Sequence, residues 1–231
     1  YLPQQRRVTV EGVGKQTPFP ALPPLHRAQF ERNYQIRMFA SHQVAGHQTV
    51  GIALDTRDRF HYSYRFWFAR ETGLLMRAQT ISEDGDVVEQ VGFRSLKIGD
   101  IPRAQLQVNA DVRRGWQVER AQINPADLSM WHVGWTPAGF TQVAMLSRRL
   151  SSRRGQSRDV GQILYANGLS SVSIFIEPWS EERSLSPLSL GGLNMVGKRH
   201  GKFWLTIVGD VPMMAVRRVA DAIELAQISP K

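Results

Sequence analysis

The 231-residue chain has no cysteine, which removes disulfides, thiolate nucleophiles and cysteine-ligated zinc in one step. The absence fixes no compartment, because a secreted protein can do without disulfides. No run approaches the roughly 18 to 20 apolar residues of a membrane-spanning helix, and the opening YLPQQRR lacks a signal-like apolar core. Tyr1 stands where a methionine would, with the strand-like Arg7 to Val10 close behind, so a processed chain or a fragment that begins inside a fold is expected. Acidic residues are scarce beside basic ones: 20 Asp and Glu against 29 Lys and Arg leave a net charge of +9. That surplus favours an acidic partner, whether nucleic acid, anionic lipid or protein. Hydrophobic residues at 42% are ordinary for a globular chain and exclude wholesale disorder, and the length suggests two domains.

Residues 14–24, GKQTPFPALPP, carry four prolines and read as extended. The following LHRAQFERN predicts about two helical turns beginning near Pro24. From Tyr34 the pattern has period two. YQIRMFAS, TVGIALDT, RFHYSYRFWFA, LLMRAQTIS and VVEQVGFRSLKI are five strand candidates joined by AGHQ, RD, RETG and EDGD, an up-and-down antiparallel meander. In the third strand Tyr62, Tyr64, Phe66 and Phe68 share one face, with His61, Ser63, Arg65 and Trp67 on the other. A continuous aromatic face either packs as core or lines a concave apolar pocket.

Gly99 to Met130 shows no sustained period and reads as an interdomain connection with some local structure. A second unit begins at Trp131. FTQVAMLSRRL predicts a strand running into the basic loop SSRRGQSR, and GQILYANGLSSVSIFIEP a hairpin built on Asn167-Gly168. SEERSLSPLSLGGLN reads as a loop and KFWLTIVGD as an apolar strand. VPMMAVRRVADAIELAQ reads as an amphipathic helix, with Met213, Val216, Ala220 and Ile223 at helical spacing, Pro212 in the first turn and Asp210 as a cap. Strands closed by one helix make a small α+β domain.

Catalytic and metal signatures fail when tested. Gly192 to Arg199, GLNMVGKR, matches a phosphate loop until Arg199 replaces the hydroxyl residue that would hold magnesium. Gly12 to Thr17, GVGKQT, has the wrong glycine spacing and runs into prolines. The six histidines show no ligand spacing, although His42 and His47 could meet across a turn. No GxSxG is present, and Glu83, Asp84 and Asp86 sit in a hairpin turn. No catalytic residue, metal ligand or cofactor is assigned.

The basic residues concentrate. Arg148, Arg149, Arg153, Arg154 and Arg158 fall around one loop of the second unit, and Lys198, Arg199 and Lys202 in another. Each alone reads as a solvated charge, but clustered they suit a grip on carboxylate or phosphate, provided both loops reach one end of the domain. Nucleic acid is not the expected partner, since no helix-turn-helix, zinc finger or RNP-like strand accompanies the charge.

With these elements in order, the chain resembles the RseB/MucB family of periplasmic regulators of the sigma-E-type (AlgU-type) envelope stress response. The resemblance rests on YSYRFWFARETGLLMRAQTISEDGDVVEQ, on WTPAGF at Trp135 to Phe140, on ILYANGLSSVSIFIEP at Ile163 to Pro178, and on TIVGDVP at Thr206 to Pro212 followed by VRRVADAI. It implies an α+β protein: an antiparallel LolA/LolB-like half-barrel sheet, here N-terminally incomplete, joined to a small α+β C-terminal domain. The expected division is residues 1–99 for the second half of the half-barrel, 100–130 for the linker and 131–231 for the C-terminal domain.

The resemblance further implies a periplasmic binding protein rather than an enzyme. Such a protein holds the periplasmic domain of a transmembrane anti-sigma factor of the MucA/RseA kind, shields it from site-1 proteolysis and senses lipopolysaccharide or lipoprotein acyl chains. The basic residues would then face an acidic stretch of the anti-sigma factor or lipid phosphates, and Tyr62, Tyr64, Phe66 and Phe68 would line the apolar cavity. The alternatives are a periplasmic lipid or lipoprotein carrier without a regulatory partner, or a hydrolase with an unrecognised pocket. Homo-oligomerisation is left open.

Overall fold

The structure, a computed structural model, describes residues 7–10, 27–40, 42–106, 117–120, 123–151, 157–181 and 186–226. Strand β1, Arg7–Val10, is followed by helix α1, Arg27–Asn33, which hands over directly to β2, Tyr34–Phe39. Then come β3, Gln43–Val44; β4, His47–Thr56; β5, Ser63–Ala69; β6, Leu75–Ile81; and β7, Val87–Gly92. They form an antiparallel sheet in the order β2-β4-β5-β6-β7, with β3 paired to the start of β4. This is the meander predicted from period two. Its β3–β4 turn places Ala45 and Gly46 at φ 50° and 82°, the left-handed pair that a tight hairpin needs.

The third strand is shorter than its sequence pattern. Asp58 Oδ1 accepts bonds from the backbone N–H of Phe60 and of His61, at 2.8 and 3.2 Å. That side-chain turn draws residues 59–62 out of the ladder, so Tyr62 precedes β5 instead of lying on it.

The sheet has two unlike faces. One buries Tyr62, Tyr64 and Phe66 with Phe30, Tyr34, Leu54 and Leu75. On the other, Val44, Ala69 and Met76 are covered by Trp67, Phe93 and Leu96, and Asp55 bridges Arg37 and Arg65 at 2.5 and 2.7 Å. Burial pushes the Asp55 carboxyl up, but the two guanidinium groups outweigh it and hold the group below its ordinary value.

Within the stretch read as a connection lie a 3-10 turn, Arg103–Leu106, and strands β8, Gln117–Arg120, and β9, Ile123–Pro125. β8 pairs in parallel with β1, and β9 pairs with β11. The remaining elements are β10, Trp131–Val133; β11, Thr141–Ser151; β12, Ser157–Ala166; β13, Ser171–Pro178; β14, Leu188–Leu190; β15, Leu193–His200; β16, Phe203–Gly209; α2, Met213–Asp221; and β17, Ile223–Leu225. A second, seven-stranded sheet runs β14-β15-β16-β13-β12-β11-β9. Helix α2 covers it: Ile163, Val172, Ile174, Leu205 and Ile207 pack with Ala215, Val216 and Val219, all essentially without solvent contact. Each larger side chain buried there contributes about 1.5–3 kcal/mol.

Three expectations change here. Leu193–His200, read partly as loop, is strand β15, so the phosphate-loop-like GLNMVGKR is a turn followed by extended chain. The C-terminal helix stops at Asp221, because Ile223–Leu225 pairs antiparallel with Trp131–Val133. Ile223 is buried all the same, which is why its spacing fitted a longer helix. Asp210 does not cap α2: Pro212 stands at that position, with no side-chain cap, and Asp210 turns back to Ser171.

Candidate functional site

The second sheet meets the first end-on. The meeting end carries the β12–β13 turn, where Asn167 Oδ1 accepts from the backbone N–H of Leu169 and of Ser170, both at 2.8 Å. Gly168 sits at φ 91°, so the Asn-Gly signal produced the hairpin it predicted. Leu169, at the tip, packs into the aromatic cluster of the first sheet. The Tyr64 hydroxyl meets Ser170 Oγ at 2.5 Å, and Asn194 Nδ2 donates to the Tyr62 hydroxyl at 2.8 Å and to the Val211 carbonyl at 2.8 Å.

The loop displaced from β5 makes the remaining contacts. His61 Nδ1 lies 2.8 Å from Asp58 Oδ1, and Nε2 lies 3.0 Å from the Ala138 carbonyl. Asn33 Nδ2 donates to the same carbonyl at 2.8 Å. Beside it Phe60 meets Trp135 edge-on, with ring centroids 4.9 Å apart. The Arg218 guanidinium lies 4.4 Å from the Trp135 ring centre and 5.1 Å from that of Phe60. A charge held against two aromatic faces is a specific, moderately strong contact.

The aromatic row is therefore packed. Tyr62, Tyr64 and Phe66 are buried and Phe68 is half-buried, and the rings of Tyr64 and Phe66 stack at 5.8 Å. Burial raises the Tyr64 and Tyr34 hydroxyls well above their ordinary values, so both stay neutral. Beyond this packed zone the same face continues to β2, where Ile36 and Met38 pair with Leu54 and Ile52; Met38 is 74% exposed.

The basic residues sit at the opposite end of the second sheet. His200 pairs with Phe203, which pairs with Pro178. Gly161 of β12 pairs with Ile176, and β12 reaches four residues further, to Ser157 opposite Ser151. The turn holding Lys202 and the ends of β11 and β12 thus share one end. Arg148, Arg149 and Arg158 stand on those two strands, while Arg153 and Arg154 lie outside the described residues. Arg199 stacks on Trp179 at 3.9 Å, and Lys202 lies 5.6 Å from the Phe203 ring. Lys198 points to the helix side instead, donating to the Ala220 carbonyl at 3.0 Å, where cations suit a helix C-terminus. Of the six assigned basic residues that are described, Arg148, Arg149, Arg158, Arg199 and Lys202 stand on the strands and turn of that end, and Lys198 makes a structural contact instead.

Among the described residues no group of three His, Cys, Asp or Glu is arranged to hold a metal ion, and no helix is long and apolar enough to cross a membrane. Of the pair His42 and His47, His47 turns its Nε2 to the Leu96 carbonyl at 3.4 Å.

Residues 1–125 match the MucB/RseB N-terminal domain, and residues 125–224 match the MucB/RseB C-terminal domain. The chain belongs to the MucB/RseB family. It is 31% identical over 201 residues to the sigma factor AlgU regulatory protein MucB of Pseudomonas aeruginosa, covering 82% of this chain and 60% of that protein. It is 26% identical over 219 residues to the sigma-E factor regulatory protein RseB of Salmonella typhimurium, covering 90% and 65%. The chain thus spans about 60–65% of the length of these relatives. Among solved structures it is similar to MucB in complex with MucA(peri), with a TM-score of 0.70 and 28% identity over 86% of this chain and 70% of that one. It is also similar to MucB alone, with a TM-score of 0.62, 28% identity and coverage of 88% and 67%. Like MucB, it is mostly antiparallel sheet with few helices.

Sequence reasoning missed the residues that join the two sheets of this MucB/RseB member. Asn33, His61, Ser170 and Asn194 carry no motif, and their partners lie 77 to 132 positions away. Asp58 alone left a local signal, as a turn-forming residue in a short loop.

Proposed function

We propose that the chain is a periplasmic regulatory binding protein, not an enzyme. It holds the periplasmic domain of a transmembrane anti-sigma factor of the MucA/RseA kind, shields it from site-1 proteolysis and so restrains sigma-E-type stress transcription. Membership of the MucB/RseB family and the likeness to MucB in complex with MucA(peri) support this reading. The observation that carries the site is the register of the second sheet, which brings the strands bearing Arg148, Arg149 and Arg158, the end of β15 bearing Arg199 and the turn bearing Lys202 to one end. With Arg153 and Arg154 they form the surface assigned to an acidic stretch of the partner, from which Lys198 is left out because the Ala220 carbonyl holds it.

The division at residues 1–99, 100–130 and 131–231, and a half-barrel first domain, belong to the same proposal. So does sensing of lipopolysaccharide or acyl chains on the aromatic side of the first sheet. Phe68 and the exposed Met38 are its accessible apolar contacts beside the packed Tyr62, Tyr64 and Phe66.

The test is co-purification with the periplasmic segment of the anti-sigma factor. Reversing Arg148, Arg149, Arg153 and Arg154 to Glu is expected to weaken capture at least ten-fold at low salt. Unchanged affinity would remove the site while leaving the function, and no capture by the wild-type chain would remove both. The carrier alternative is supported by the open apolar edge at Ile36 and Met38; it predicts that delipidated protein takes up a fluorescent fatty-acyl probe.

A further inference from the structure

Between β7 and the β14–β15 turn lies a cleft of about 520 Å3, lined by Glu89, Ser171, Leu190, Gly191, Leu193 and Asp210. Its wall is apolar and open: Leu190 is 74% exposed and Leu193 41%. The turn is pressed backbone-first against β7. Gly191 has φ 58°, and a Cβ there would stand 2.9 Å from the Val88 carbonyl oxygen. Only glycine allows that approach, and it leaves the two leucines facing outward across the cleft instead of into a core.

The floor carries negative charge. Asp210 has one carboxylate oxygen, Oδ1, accepting from the Ser171 backbone N–H at 2.6 Å and from its hydroxyl at 3.0 Å. Burial pushes the Asp210 carboxyl above its ordinary value, the Ser171 bonds pull against that, and the Glu89 charge adds to the rise. Two carboxylates that disfavour each other, set in an apolar frame on a chain of net charge +9, complement a cation carried between apolar groups.

We propose that this cleft receives an arginine or lysine side chain, flanked by apolar residues, from the protein segment that the chain binds. The proposal rests on the reading of the chain as a protein-binding regulator and adds a second contact to it. The β15 strand, eight residues long, separates the cleft from the basic end. At about 3.3 Å per residue that is roughly 25 Å, a span that about eight extended residues cross. The partner segment therefore carries acidic residues at one end and a basic residue among apolar ones at the other.

The experiment uses the whole 231-residue chain labelled with 15N and two synthetic probes. One is acetyl-Leu-Arg-Leu-amide; the other replaces Arg by citrulline, which keeps the shape and loses the charge. The Arg probe is expected to shift the amides of Glu89, Gly191, Gly192 and Leu193, with at least five-fold tighter binding than the citrulline probe. Glu89→Gln with Asp210→Asn should abolish that preference. Glu89→Gln and Leu190→Ser, both at exposed positions, each weaken the Arg probe at least three-fold and stand in should Asp210→Asn disturb folding. Equal binding of the two probes, or shifts centred elsewhere, overturns the proposal. Capture of the anti-sigma segment without probe discrimination removes the cleft and leaves the function; discrimination without capture removes the function and leaves the cleft as a cation site.

Discussion

Asn194 donates its side-chain N–H to the hydroxyl of Tyr62 at 2.8 Å, across 132 positions of sequence. The same nitrogen also holds the Val211 carbonyl, and Asn194 Oδ1 accepts from Ser189 Oγ. One buried amide thus ties the first sheet, the β14–β15 turn and the approach to α2.

Asn194→Ala is expected to lower stability by about 2–3 kcal/mol, because it leaves buried partners unpaired, and Tyr62→Phe by about 1 kcal/mol. The two changes should be less than additive in a double-mutant cycle read by urea unfolding. Full additivity would mean that the bond contributes nothing.

His61 bridges Asp58 on its own loop and the Ala138 carbonyl across the junction. His61→Ala should cost about 2 kcal/mol and speed proteolysis of the 57–62 loop. Asn33→Ala, which leaves the His61 contact in place, should cost less. Equal cleavage of wild type and His61→Ala under native conditions would show that the ring does not hold the loop.

Arg218 is exposed yet lies against Trp135 and Phe60. Arg218→Ala should cost about 1 kcal/mol and Arg218→Lys less, since the lysine keeps charge but loses the planar stack. Melting temperature and tryptophan fluorescence read the outcome; identical melting of all three proteins would dismiss the stack.

Asp55 titrates below its ordinary value because Arg37 and Arg65 outweigh the effect of burial. A carboxyl lowered in the folded state adds stability that is full above the unfolded value of about 3.9 and is lost as pH falls through the folded value. Asp55→Asn should therefore be slightly less stable at pH 7, by no more than about 1 kcal/mol for a solvated pair. The gap should close as the pH falls below about 4. A gap that stays constant with pH would assign the loss to packing.

The first sheet was legible strand by strand, since period two and Gly- or Asp-bearing turns act between neighbours. The hairpin at Asn167-Gly168 was equally plain. Three of the errors have plain physical origins. Asp58 drew residues 59–62 out of a strand through its own side chain. Gly191 and Gly192 in the turn before it, with Gly197 inside it, disguised β15 as loop, because a glycine in a paired strand looks like a breaker until its partner strand is known. Ile223 kept helical spacing while pairing as a strand, since either arrangement buries it.

The aromatic row shows most clearly where local information ends. Alternation in the sequence determined that Tyr64, Phe66 and Phe68 share a face, and charge counting determined that the second unit carries basic clusters. Only the tertiary structure decided that Tyr62 bonds to Asn194 and Tyr64 to Ser170, and that strand register brings Arg148, Arg149, Arg158, Arg199 and Lys202 to the far end. Periodicity is set by the geometry of a few neighbouring residues. Docking is set by shape and hydrogen-bond matches between segments 77 to 132 positions apart, and no local pattern records which end of one sheet another will meet.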